Sequence, residues 1–156
     1  MKIICIGRNY ADHAKEMKSA VPTEPLYFLK PDTAILREGD FYYPNFTKDL
    51  HFECELVVKI DRVGKHIEQA FAHKYYSEFS LGIDFTARDI QEHCKANGLP
   101  WEKAKGFDSS AVLSNKWINK NDVDLSTAEF TFYQNDVLKQ TGHPRDFIFS
   151  IDEIIS

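Results

Sequence analysis

Leu50-His51-Phe52-Glu53-Cys54-Glu55-Leu56-Val57-Val58-Lys59-Ile60 is the stretch on which the reading of this chain turns. Its β-branched and aromatic content and its length make it the strongest strand signal in the sequence. Side chains alternate across a strand, so His51, Glu53 and Glu55 share one face while Phe52, Cys54 and Leu56 share the other. Two carboxylates on one face, with Cα atoms about 7 Å apart, repel each other unless a proton or a cation intervenes. A hard divalent ion with oxygen ligands resolves that conflict. The alternative is a solvent-facing polar edge. The Leu56-Val57-Val58 continuation instead makes the strand look central, which raises the cost of leaving the acids unpaired.

Working outward, residues 2–6 read as a short strand ended by Gly7, and residues 12–18 as a short helix stopped before Pro22. Prolines bracket Leu26–Lys30, a second short strand. Residues 63–67 are expected to return as the hairpin partner of the long strand, and residues 68–76 to be helical. Residues 79–85 read as a strand, followed by a helix over 86–96 that closes at Asn97-Gly98. Residues 129–133 and 137–139 flank Gln134-Asn135-Asp136 as a hairpin. Ser150, with Glu153 three residues on, caps a short final helix. Periodicity therefore gives a strand-rich α+β domain spanning residues 1–156, with no repeat or linker.

Two further patches could join the acidic pair. Asp84 sits near the end of the strand that precedes a helix carrying Arg88 and Gln91, a place where the backbone is held while the tip stays accessible. Read alone, it is equally a helix cap. Asp89 reads as a first-turn acid or an arginine partner. In Gly7-Arg8-Asn9-Tyr10-Ala11-Asp12-His13-Ala14-Lys15-Glu16, helical spacing makes Glu16 a neighbour of His13. That pair could orient the imidazole as a general base, or be a solvated surface pair.

The chain has 156 residues, 43% hydrophobic and 28% charged, with twelve Phe and seven Tyr. This is the composition of a soluble globular protein able to bury a core. A net charge of −5 argues against a nucleic-acid partner, which calls for a basic face. It does not argue against an anionic substrate, because a bound cation reverses the local field. Cys5, Cys54 and Cys94 are odd in number and widely spaced, which fits reduced thiols rather than a disulfide framework or a zinc site. No segment approaches the ~18 apolar residues of a membrane helix. A cytoplasmic location is the expectation.

Five ordered motifs, GRNYADHxxE (7–16), PLYFLKP (25–31), HFECEL (51–56), GIDFTARDIQ (82–91) and GLPWEKAKGFD (98–108), resemble the fumarylacetoacetate hydrolase superfamily. They are most similar to its small members of acylpyruvase and oxaloacetate decarboxylase type. The resemblance implies a mixed β-roll, usually homodimeric, and a Mg²⁺ or Mn²⁺ ion held by Glu53, Glu55 and Asp84. It implies a catalytic dyad of His13 and Glu16 on a short lid helix, with Arg88, Gln91 and Lys105 facing the substrate. Lys30 has a weaker claim and could be structural, and Arg8 could position the lid. The implied activity is divalent-metal-dependent C–C bond cleavage of small 2-oxo or 2,4-dioxo acids. The alternatives are isomerase or hydratase chemistry, or a noncatalytic metal-binding or dimerisation module. Relatives continue past the final helix into further strands and a pocket-closing loop, so the fold is expected to be incomplete at the C-terminus.

Overall fold

A computed structural model describes residues 1–10 and 22–156. The strands are β1 (Ile3–Gly7), β2 (Leu26–Lys30), β3 (Leu50–Ile60), β4 (Tyr76–Ala87), β5 (Ala111–Leu113), β6 (Ile118–Asn119), β7 (Phe130–Gln134) and β8 (Val137–Gly142). The α-helices are α1 (Gln69–Ala72), α2 (Arg88–Asn97), α3 (Glu102–Lys105) and α4 (Ile151–Ile155). This is the strand-rich α+β architecture expected. The helix expected over residues 12–18 falls outside the described residues.

β1 pairs with β2, and β3, β4 and β5 lie side by side with β6 also on β4. β4 meets β5 antiparallel, with Gly82 opposite Leu113, Ile83 opposite Val112 and Asp84 opposite Ala111. β3 and β4 are the long strands because both combine aromatic and β-branched residues with a buried face. Cys54, Phe79 and Ala87 all point into the core.

The hairpin expected at residues 63–67 does not form. Val63 is fully exposed, and the chain passes through α1 before Asp61 N–H donates to Tyr75 O at 3.0 Å. Val-Gly-Lys-His-Ile offers no alternating apolar face to pair with β3, whereas β4 does. The helix expected over 68–76 is only the single turn α1, extended by turn bonds from Lys74 N–H to Phe71 O and from Tyr75 N–H to Ala72 O. Tyr76 leaves the helix for β4, where it packs on Phe79 and hydrogen-bonds Asp152.

Other local readings hold. α2 ends at Gly98, whose φ of 63° supplies the left-handed cap. The β7–β8 turn is built on Asn135 and Asp136, both at positive φ, as a two-residue hairpin requires. Ser150 Oγ accepts from Glu153 N–H at 3.2 Å.

The chain divides into two compact units. One comprises Met1–Cys5, Tyr27–Glu55 and Leu81–Ser114, and holds the acidic residues singled out above. Its aromatic packing includes Phe41 stacked on Phe85 at 3.8 Å and Phe28 against Trp101 at 5.8 Å. The other comprises Ile6–Leu26, Leu56–Ser80 and Asn115–Ser156. There α1 packs on α4 and Tyr10 bridges to Phe147. Asn9 is buried and clamps Phe149 twice, donating to its carbonyl at 3.0 Å and accepting from its N–H at 2.8 Å. No helix among the described residues is long and apolar enough to cross a membrane.

Candidate metal centre

β3 and β4 bring the three acids together. Glu53, Glu55 and Asp84 each offer a carboxylate oxygen, and these oxygens lie within 4.8 Å of one another. Glu53 and Glu55 reach the cluster because they are two residues apart on β3, with Cys54 buried on the opposite face. Asp84 comes from within β4, three residues before the strand ends, and is almost wholly buried.

Three cations surround the acids. Lys105, the last residue of α3, is buried with its Nζ 2.6 Å from each of Glu53 Oε2, Asp84 Oδ2 and Thr86 Oγ1. The ring of Phe28 lies 5.1 Å from that ammonium and covers it. Arg88 opens α2, so its guanidinium is aimed by the first helical turn. It donates to Glu53 Oε1 at 2.6 Å and to Gln91 Oε1 at 2.5 Å, one turn along. α2 itself is seated by Arg88 N–H on Asp49 O at 2.8 Å. Asp89 helps by accepting from Thr47 Oγ1 at 2.5 Å and Lys48 N–H at 3.1 Å, and so acts as a first-turn acid rather than an arginine partner.

Lys30, at the end of β2, is the third cation. Its side chain is 1% exposed, and its Nζ lies 2.7 Å from Asp84 Oδ1. The same ammonium donates to Ser110 Oγ at 3.0 Å, to Ser110 O at 3.1 Å and to the Lys105 carbonyl. Ser110 Oγ in turn donates to Lys105 O at 2.8 Å. Ser109, at φ 62°, turns the chain into this position.

These charges drive the two glutamates apart. Burial alone would push the Glu53 carboxyl up. The Lys105 ammonium and Arg88 guanidinium outweigh it and hold Glu53 at about 2. Glu55 is pushed up to about 8, first by burial and then by the negative charges of Asp84 and Glu53. Burial works against the Lys105 charge, yet Asp84 and Glu53 prevail and raise it above the ordinary lysine value.

The donor set suits a hard divalent cation. It is all oxygen and includes one carboxyl whose ionisation is held back by burial and by the two neighbouring acids, a penalty that a bound cation would offset. Among the described residues Glu55 has no ion-pair partner. Mg²⁺ and Mn²⁺ both accept such ligands.

Of the residues singled out in the sequence, Glu53, Glu55, Asp84, Arg88, Gln91 and Lys105 meet in one cluster. His13 and Glu16 lie outside the described residues. Lys30 turns out to be as deeply engaged as Lys105. Thr86 and Ser110, both fully buried, had not been singled out. Thr86 carried a signal, since it stands two residues from Asp84 on the same strand face. Ser110 carried none, because only the turn at Ser109 brings it to Lys30.

Known proteins resemble this chain along nearly its whole length. The oxaloacetate tautomerase FAHD1, mitochondrial, of Mus musculus is 44% identical over 156 residues, covering 99% of this chain and 70% of the relative. The oxaloacetate decarboxylase, mitochondrial, of Dictyostelium discoideum is 37% identical over 157 residues, covering 99% of this chain and 72% of the relative. The crystal structure of fumarylpyruvate hydrolase from Pseudomonas aeruginosa in complex with Mn²⁺ and pyruvate superposes with a TM-score of 0.89 at 31% identity. That match covers 100% of this chain and 70% of the other. Residues 2–156 also match the family described as Fumarylacetoacetate (FAA) hydrolase C-terminal. With sequence and fold in agreement, the chain belongs to the fumarylacetoacetate hydrolase family.

Proposed function

We propose that this chain is a divalent-metal-dependent enzyme that cleaves a C–C bond in small 2-oxo or 2,4-dioxo acids by way of a pyruvate enolate. The observation that carries the reading is the meeting of three carboxylates within 4.8 Å, flanked by Lys105 and Arg88. A divalent ion bound by Glu53, Glu55 and Asp84 would supply Lewis-acid polarisation of the 2-oxo group. Lys105 and Arg88 present positive charge to an anionic substrate, and Gln91 is held beside them as a further hydrogen-bonding group.

In oxaloacetate, the bond between the methylene carbon and the distal carboxylate breaks. Carbon dioxide leaves, the electron pair passes into the enolate, and a proton on carbon completes pyruvate. In an acylpyruvate, water must first add to the distal carbonyl. His13, oriented by Glu16, takes the proton from that water, and the same enolate then departs as the new carboxylic acid forms.

A second reading is tautomerisation of oxaloacetate, favoured by the activity for which the mouse relative is named. It needs proton transfer at the methylene carbon and breaks no C–C bond. One set of assays with Mn²⁺ separates these activities: pyruvate release from oxaloacetate, loss of acetylpyruvate, and the ultraviolet decay of enol-oxaloacetate. Pyruvate release that disappears in Glu55→Gln supports C–C cleavage. Enol decay without pyruvate moves the assignment to tautomerase. No turnover of any substrate by folded protein makes the chain a noncatalytic metal-binding module.

A homodimer and a cytoplasmic location complete the proposal. Exposed Ile4, Tyr27 and Leu29 on β1 and β2 support an apolar contact with a second copy, which light scattering after gel filtration measures. The mouse and Dictyostelium relatives are named as mitochondrial, so fractionation of the native protein is the test of location.

A further inference from the structure

Lys30 stands apart from the other two cations. Lys105 and Arg88 reach the cluster from helical segments. Lys30 is fixed at the end of a strand and tied to the backbone carbonyls of Phe85, Lys105 and Ser110 and to the Ser110 hydroxyl, none of which bears charge. Its ammonium takes Asp84 Oδ1 while Lys105 takes Oδ2, so both oxygens of that carboxylate already face a positive charge. Both oxygens of Glu53 are likewise engaged, by Arg88 and Lys105. Glu53 and Asp84 thus present all four oxygens to three cations, and a divalent ion arriving alone must compete with those positive charges.

We propose that Lys30 is a positioning residue whose fixed positive charge makes the acidic triad bind a divalent ion weakly alone and much more tightly together with an anionic 2-oxo acid. The inference rests on the metal reading of Glu53, Glu55 and Asp84 given above. Its physical basis is coupling between two ligands of opposite charge. A buried cation beside Asp84 opposes the metal and favours the anion, while the metal and the anion attract each other directly, each raising the other's affinity by the same factor. Burial in a site shielded from water makes one such charge count heavily. Removing it leaves Asp84 with Lys105, so the carboxylate is not stranded.

The test is a Mn²⁺ titration read by electron paramagnetic resonance, with and without oxalate as a 2-oxo acid mimic, on the wild type, Lys30→Gln, Lys30→Arg and Ser110→Ala. Lys30→Gln is expected to bind Mn²⁺ alone at least about tenfold more tightly than the wild type, because a like charge next to the ion is gone. Its gain at one fixed oxalate concentration, too low to fill the metal-free site, should shrink by at least about tenfold, because the anion has lost the attraction of Lys30. Lys30→Arg keeps the charge and should keep the wild-type gain. Ser110→Ala removes a hydrogen-bond partner of Lys30 without touching the charge, and should keep it too.

Mn²⁺ affinity that is unchanged or weaker in Lys30→Gln overturns the proposal, as does an undiminished oxalate gain. Should Lys30→Gln fail to fold, Lys30→Met is read in its place. Failure of both makes Lys30 a structural residue and also overturns the proposal. If the wild type binds Mn²⁺ and Glu55→Gln does not, the metal reading stands whatever Lys30 does. If the wild type binds none, both fall together.

Discussion

Glu53 and Glu55 stand two residues apart on one strand, yet the first is held at about 2 and the second is pushed up to about 8. The difference lies in their partners, since Glu53 bonds Lys105 and Arg88 while Glu55 faces two other acids. With its pKa raised above the unfolded value, Glu55 keeps a proton in the folded state that the unfolded chain releases near 4.5. Stability therefore falls as pH rises from about 4.5 to about 8. Glu55→Gln removes this penalty and should stabilise the metal-free protein by about 2 kcal/mol at pH 7. Thermal melts in chelator at pH 5 and pH 8 provide the check: the gain should be larger at pH 8.

Occupancy of the triad by a divalent ion requires Glu55 to ionise. Binding of Mn²⁺ at pH 7 should therefore release on the order of one proton. Calorimetry in two buffers of different ionisation enthalpy measures the number directly. A binding enthalpy independent of buffer would rule out the displaced proton.

The acid limb belongs to Glu53. Its carboxylate is stabilised in the folded state, a contribution present above the unfolded value of 4.5 and lost as pH falls toward about 2. Arg88→Gln removes one of the groups that hold it ionised. In metal-free protein the variant should unfold at higher pH than the wild type during acid titration, by circular dichroism.

Asn9 makes a paired backbone clamp on Phe149 from a buried position. Asn9→Ala leaves that peptide's N–H and carbonyl without their partner and should cost about 1–3 kcal/mol in urea unfolding. A loss below a few tenths would mean that water replaces the amide.

At the β7–β8 turn, Asn135 and Asp136 both occupy positive φ, which only glycine adopts without strain. Asp136→Gly should raise stability by about 0.5–1 kcal/mol, unlike most glycine substitutions. The slope of the urea transition should be unchanged.

How much of this was legible in the chain depended on the range of the interaction. Alternation along β3 put Glu53 and Glu55 on one face, and the cap at Ser150, the stop at Gly98 and the Asn135-Asp136 turn all follow local rules. The partner of β3 did not. Residues 63–67 are adjacent in sequence, but pairing is decided by which segment has a face to bury, and β4 has it. Motif resemblance brought Asp84, Arg88, Gln91 and Lys105 to the site when spacing alone could not. The full engagement of Lys30 escaped both routes, because it depends on Ser110, eighty residues away, and on a left-handed turn at Ser109. The placement of His13 and Glu16 rests on the motif alone.

The clamp of Asn9 on Phe149 links residues 140 positions apart. The residues of the unit carrying the acidic cluster, by contrast, all lie at or before Ser114. On the ribosome, then, the charged centre can assemble while the rest of the chain is still being made. Asn9, just past β1, gains its clamp when Phe149 emerges. Order of synthesis thereby lets the acids meet before the Asn9 clamp can close.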